Sequence, residues 1–158
     1  MRPIHDLIHQ DYNCCCLFPC IGGDSLQAHI RSPTDSYVSG ETIYVFVDVN
    51  FSSATVELSQ VKLWLEQTLK FDYNNGKQKL LRKIIVPTPC NGPFLPQTTI
   101  EVGLQVPILL HSDFPHCRFL NVDYRLHVEL TLSGCNRCIE RAYDIKIGSK
   151  SVQTRRLD

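Results

Sequence analysis

The chain carries no excess of charge of either sign: 16 Lys and Arg balance 16 Asp and Glu. Nucleic-acid binders usually show a basic surplus, so no nucleic-acid partner is expected. Long apolar runs are missing as well. The longest, Cys14 to Ile21, is broken by Pro19 and falls far short of the ~20 residues a membrane span needs. The opening residues, Met1–Arg2–Pro3–Ile4–His5–Asp6, lack the apolar core of a signal peptide, which makes the cytoplasm the expected compartment. Helical periodicity is scarce: Ile4, Leu7 and Ile8 have helical spacing, but the run is short and uncapped. No Gly-rich phosphate loop, nucleophile elbow, internal repeat or low-complexity tract is present. His111, His116 and Cys117 lie close together, but neighbours in one loop are not held at a fixed geometry, and no catalytic residues, cofactor or enzymatic activity are expected.

What is present is a two-residue period. Ile43, Val45, Val47, Val49 and Phe51 occupy alternate positions, as do Ile100, Val102, Leu104 and Val106, and Val122 through Leu132. Such alternation puts one face on a core and the other in water, the mark of antiparallel sheet. Further strands are predicted at Leu26–Ile30, Val56–Phe71, Gln78–Val86 and Ala142–Ile147. Within the second of these the apolar phase slips, from Val56 and Leu58 to Val61, Leu63 and Leu65, which predicts a β-bulge near Ser59–Gln60. Turn residues at Ser39–Gly40, Asn74–Asn75–Gly76, Asn91–Gly92–Pro93 and Ser133–Gly134 separate the segments. About seven strands at this spacing imply an all-β immunoglobulin-like sandwich. With 158 residues and 43% apolar content, one domain can hold its own core. Composition divides the chain into a Cys-rich lead-in (1–24), the sandwich (25–148) and a polar tail (149–158).

An ordered series of short motifs goes further. Tyr37–Val38–Ser39–Gly40–Glu41–Thr42–Ile43 resembles the turn that opens the C-terminal lobe of arrestin-domain proteins, with Ser39 where the family usually has proline. Val49–Asn50–Phe51–Ser52–Ser53 is similar to its Asn-x-Ser segment, and Val61 through Gln67 to the strand that follows. Val106–Pro107, Val122–Asp123–Tyr124–Arg125–Leu126 and Asp144–Ile145–Lys146–Ile147–Gly148 match later positions in the same order. Cys14–Cys15–Cys16–Leu17–Phe18–Pro19–Cys20 resembles the inter-lobe linker of α-arrestins. The resemblance covers one of the family's two sandwiches and implies a non-enzymatic protein-binding adaptor or scaffold for membrane-protein trafficking, endocytic sorting or receptor regulation. Its implied partners are membrane-protein cargo, receptor tails and trafficking machinery, met in the cytoplasm, at membranes or on endocytic vesicles. A WW-binding Pro-Pro-x-Tyr motif is absent from this chain. Two alternatives stand beside that reading: a lone-lobe remnant that competes for partners, and a zinc-stabilised β-sandwich binding module.

Candidate site residues carry these readings. Lys70, Lys77, Lys79, Arg82 and Lys83 gather around one predicted hairpin, opposed only by Asp72, and suit an anionic partner or weak contact with a membrane surface. Solvated lysines that guard a sheet edge are the plainer explanation. Cys14, Cys15, Cys16 and Cys20 are candidate lipidation sites beside apolar residues. With Cys135 and Cys138, Cys16 and Cys20 have spacings a structural zinc would accept, although reduced, unconnected thiols are the simpler account and no metal is expected. Trp64 falls on the outward register of its strand, as either a docking residue or one packed under a loop; His127 is expected to be a surface or cross-strand residue.

Overall fold

The alternating segments form strands, and their apolar faces meet. The computed structural model describes residues 1–12, 24–52, 57–112, 117–133 and 137–149, and among these there is no helix. Nine strands follow in chain order: β1 (Ile4–Tyr12), β2 (Asp24–Ser32), β3 (Ser36–Val38), β4 (Thr42–Ser52), β5 (Glu57–Tyr73), β6 (Lys77–Asn91), β7 (Gln97–Gln105), β8 (Leu120–Ser133) and β9 (Arg137–Gly148). They build two sheets, ordered β1-β2-β4-β7 and β3-β9-β8-β5-β6. All pairings are antiparallel except β3 with β9.

The core lies between the sheets. Val45, Val47, Ile100, Val102 and Leu104 face it from the four-stranded sheet; Val61, Leu63, Leu65, Val122, Leu126, Val128 and Leu130 face it from the other. Each such side chain contributes about 1.5–3 kcal/mol by leaving water, against about 0–1 kcal/mol for a surface ion pair. Burial therefore sets the fold, and charge decorates it. The phase slip in β5 is resolved where the sequence places it. Leu58 pairs with Leu132 and Gln60 with Thr131, so Ser59 is the extra residue that keeps Leu58 and Val61 both in the core. Its hydroxyl donates to the Thr131 carbonyl at 3.0 Å, and its own carbonyl accepts from Gly92 N at 2.8 Å.

The turn at Tyr37–Ile43 is fixed from several sides. Tyr37 is buried, its hydroxyl donating to the Thr34 carbonyl at 2.8 Å and meeting Ser32 Oγ at 2.7 Å. Gly40 takes the left-handed conformation (φ +92°) that glycine adopts without strain, and its N–H donates to the Val106 carbonyl. Ser39 supplies a hydroxyl that accepts from Leu109 N at 3.1 Å.

Within residues 1–24, which sequence patterning assigns to a lead-in, Ile4–Tyr12 is a strand that pairs with β2 from Ile4↔Ser32 to Tyr12↔Asp24. Ile8 is buried in the core. Across the gap between sheets, the Tyr143 hydroxyl of β9 donates to Asp6 Oδ2 at 2.7 Å, and Arg141 Nε lies 3.5 Å from the same oxygen. Burial, and then the Asp6 charge, push the Tyr143 phenol well above its usual range. The polar tail from residue 150 lies outside the described residues.

Candidate functional site

The five candidate cations all lie on the β5–β6 hairpin, but its register divides them between two faces. Opposite residues share a face, and Lys70 pairs with Leu80, Thr68 with Arg82 and Glu66 with Ile84. Lys70 and Arg82 therefore stand on the outer face of the five-stranded sheet. Lys77, Lys79 and Lys83 stand on the other face, opposite Tyr73, Phe71 and Gln67. Lys70 is ion-paired with Asp123 on β8. Lys77, Lys79, Arg82 and Lys83 form no ion pair with any described residue, and all four are exposed. The hairpin turns at Asn75 (φ +79°) and Gly76 (φ +71°), the residue types that tolerate left-handed backbone.

The outer face forms a shallow groove of about 640 Å³. Its lining sets Lys70, Arg82, Arg125 and Lys146 against Asp35, Glu66, Asp123 and Asp144. Four charges of each sign leave no net charge, and Arg125 bonds Asp144 at 3.1 Å. The Arg2 backbone N–H at 3.0 Å from Asp35 holds that carboxyl below its usual value. Two of these cations are ion-paired, Lys70 with Asp123 and Arg125 with Asp144, whereas Arg82, like Lys77, Lys79 and Lys83 on the same strand, has no ionic partner among the described residues.

Among the described residues, β6 is the last strand of its sheet and pairs only with β5. Every residue from Lys77 to Ile84 is exposed, including Leu80 at 50%, Leu81 at 46% and Ile84 at 62%. Sequence reasoning named the cations and passed over these apolar side chains. The signal was there in Leu80–Leu81 and Ile84–Ile85: two adjacent apolar residues in a strand cannot both face one core.

Further along the outer face, Trp64 is half-buried and stacks on its cross-strand partner His127 at 5.0 Å and 9°. Lys62 Nζ lies 5.4 Å from the Trp64 ring centre. His127 is cross-strand as expected, yet only 7% exposed, covered by Trp64 and flanked by carboxylates. Its Nδ1 bonds Glu140 at 2.8 Å, while Nε2 lies 3.5 Å from Glu66 without the geometry of a hydrogen bond. The outer face of the other sheet has its own network: Arg31 grips Asp48 through two bonds of 2.7 and 3.0 Å, and Thr99 adds a third at 2.6 Å. Those bonds, Arg31 foremost, hold the Asp48 carboxyl below its usual value.

His111 and Cys117 are half-buried, and His116 lies outside the described residues. So do Cys14, Cys15, Cys16, Cys20 and Cys135, whereas Cys138 is exposed on β9. Among the described residues no group of three or more His, Cys, Asp or Glu side chains is placed to hold a metal ion. Nor is any helix among them long and apolar enough to cross a membrane.

Comparison with known proteins completes the picture. A family model described as Arrestin (or S-antigen), C-terminal domain, matches residues 23–152. Among solved structures, the chain is similar to Spo0M, a sporulation control protein from Bacillus subtilis, with a TM-score of 0.56 and 14% identity. That likeness, one of fold, covers 82% of this chain and 51% of the other, so this chain spans about half the length of that structure. No curated protein sequence matches the chain.

Proposed function

Because this chain belongs to the arrestin family, with a C-terminal-type domain over residues 23–152, we propose that it is a non-enzymatic adaptor module for membrane-protein trafficking. Domains of this family are generally protein-interaction scaffolds. The finer role rests on one observation. The β5–β6 hairpin offers exposed Leu80, Leu81 and Ile84 among four cations that have no ionic partner in the described structure. Apolar anchors ringed by one sign of charge fit a protein segment of the opposite sign better than a small molecule. In this reading the module works by surface recognition at the cytoplasmic side of membranes, with cytosolic tails of membrane proteins as cargo, and no bond is made or broken.

The test is an array of cytosolic tail segments from membrane proteins, probed with the purified chain and followed by titration of the hits. A subset of tails should bind with Kd of about 1–100 µM, or about −8 to −5.5 kcal/mol, the range of a transient interface. Folded protein that binds no tail more tightly than about 1 mM would remove the adaptor reading.

A further inference from the structure

We propose that the Lys77–Ile85 half of β6 accepts an acidic, extended peptide as a sixth strand of the β3-β9-β8-β5-β6 sheet. The proposal deepens the adaptor reading and rests on it. An edge strand aims every second N–H and C=O away from its sheet, toward whatever comes beside it. β6 is such an edge, and its two halves differ. After Ile85 the strand is interrupted: Ile85 pairs with Leu65 but Thr88 with Leu63, so β6 uses three steps where β5 uses two. Val86 has φ +49° in this bulge, and Pro87 and Pro89 follow, neither with an N–H to give. That half is closed to pairing. From Lys77 to Ile85 there is no proline and no bulge, and the described residues put no strand on the outer side.

Side chains select the occupant. A strand laid beside β6 sets its own residues against Leu80, Arg82 and Ile84 on one face, and against Lys79, Leu81 and Lys83 on the other. In an alternating partner, acidic residues opposite Lys79 and Lys83 would meet cations that have no ionic partner among the described residues. Branched or aromatic residues would cover Leu80 and Ile84. The same charges discourage a second copy of the chain: antiparallel self-pairing centred on Leu81 would put Lys79 against Lys83. Of the other edges, β3 has only three residues, β1 is tied to β9 through Asp6, and β7 carries Glu101 and no cation to meet an acidic partner. Strand addition of this kind draws affinity from the backbone and specificity from alternate side chains.

The experiment uses the full chain and a fluorescein-labelled nonapeptide alternating Glu and Val, beside a control alternating Lys and Val. Fluorescence anisotropy should show the Glu peptide binding at least tenfold more tightly than the Lys peptide, and more weakly as salt rises from 50 to 300 mM. The triple variant K79E/R82E/K83E should reverse that preference while its far-UV circular dichroism stays unchanged. Hydrogen exchange should slow at amides of Lys77–Ile85 when the Glu peptide binds. The proposal is overturned by equal affinity for both peptides, by protection confined to the Glu66–Arg125–Asp144 groove, or by dimerisation through β6. Binding of the chain to phosphatidylserine vesicles with no binding of the Glu peptide would also overturn it, in favour of a membrane surface. If membrane-protein tails bind but the triple variant binds them equally well, the edge assignment fails and the adaptor reading stands. If no tail binds while the Glu peptide pairs with β6, the reverse holds.

Discussion

Replacing Tyr124 by Phe removes one oxygen from the centre of the five-stranded sheet, and the structure says what that oxygen does. The Tyr124 side chain is 1% exposed; its hydroxyl donates to the Leu110 carbonyl at 2.6 Å and accepts from Gln67 Nε2 at 2.8 Å. Burial raises the phenol above its usual value, so it remains a neutral donor at pH 7. Without it, the Gln67 amide, on a residue 9% exposed, is left with no partner, whereas Leu110, at 41%, can turn its carbonyl to water. A buried unsatisfied group costs about 1–3 kcal/mol, and the lost Leu110 bond adds a fraction of one more, so Tyr124→Phe should cost about 2 kcal/mol. For a domain of this size that is a drop in Tm of about 4–8 °C. Gln67→Met with Tyr124→Phe replaces both partners by apolar groups of similar shape, and should recover at least about 1 kcal/mol of the loss. Urea unfolding followed by circular dichroism, with an unchanged m-value, gives both numbers. A Tyr124→Phe variant within about 0.5 kcal/mol of the parent, or a double variant no better than the single, would refute this account of the hydroxyl.

Ile8→Ala should cost about 2–4 kcal/mol by urea unfolding if β1 belongs to the core, and under about 0.5 kcal/mol if residues 1–12 were a loose lead-in. Asp48 is held below its usual carboxyl value by Arg31, so its contribution is present above the unfolded pKa of about 4 and disappears as pH falls through the lower folded value. Asp48→Asn should therefore be less stable than the parent at pH 7, with the gap closing in Tm scans as pH falls below about 4; a gap independent of pH would exclude this linkage. Trp64 is the only tryptophan, and His127→Ala exposes the ring face now stacked on imidazole. Its fluorescence should shift to longer wavelength, and an unmoved spectrum would contradict the stack.

Much of this fold is legible in alternation. Segments with one core face, such as Val122–Leu132, have a pattern that admits one register, and the slip between Leu58 and Val61 predicts a bulge near Ser59–Gln60, where Ser59 is the extra residue. β1 was hidden because its pattern mixes: its core-facing row holds Asp6 beside Ile8, while Leu7 points to solvent. A carboxylate on a core row makes sense only once Tyr143 and Arg141, more than 130 positions away, are seen beside it. β3, with three residues, is too short for periodicity to register. The cations were visible as a cluster, but their division between faces depends on which residue pairs with which. That Arg82 lies in a groove with as many acids as bases depends on Asp35, Glu66, Asp123 and Asp144, which the fold gathers from four places in the chain.

The clasp at β1 has a mechanical consequence. Tension applied to residue 1 along the strand loads the whole Ile4–Tyr12 register against β2 in parallel, a shear geometry, so its ladder bonds must yield together rather than peel in turn. Asp6 moors the same strand to β9 of the opposite sheet, so sliding β1 out also means breaking a tie that β2 does not share. A domain pulled by its first residue would transmit force into both layers at once.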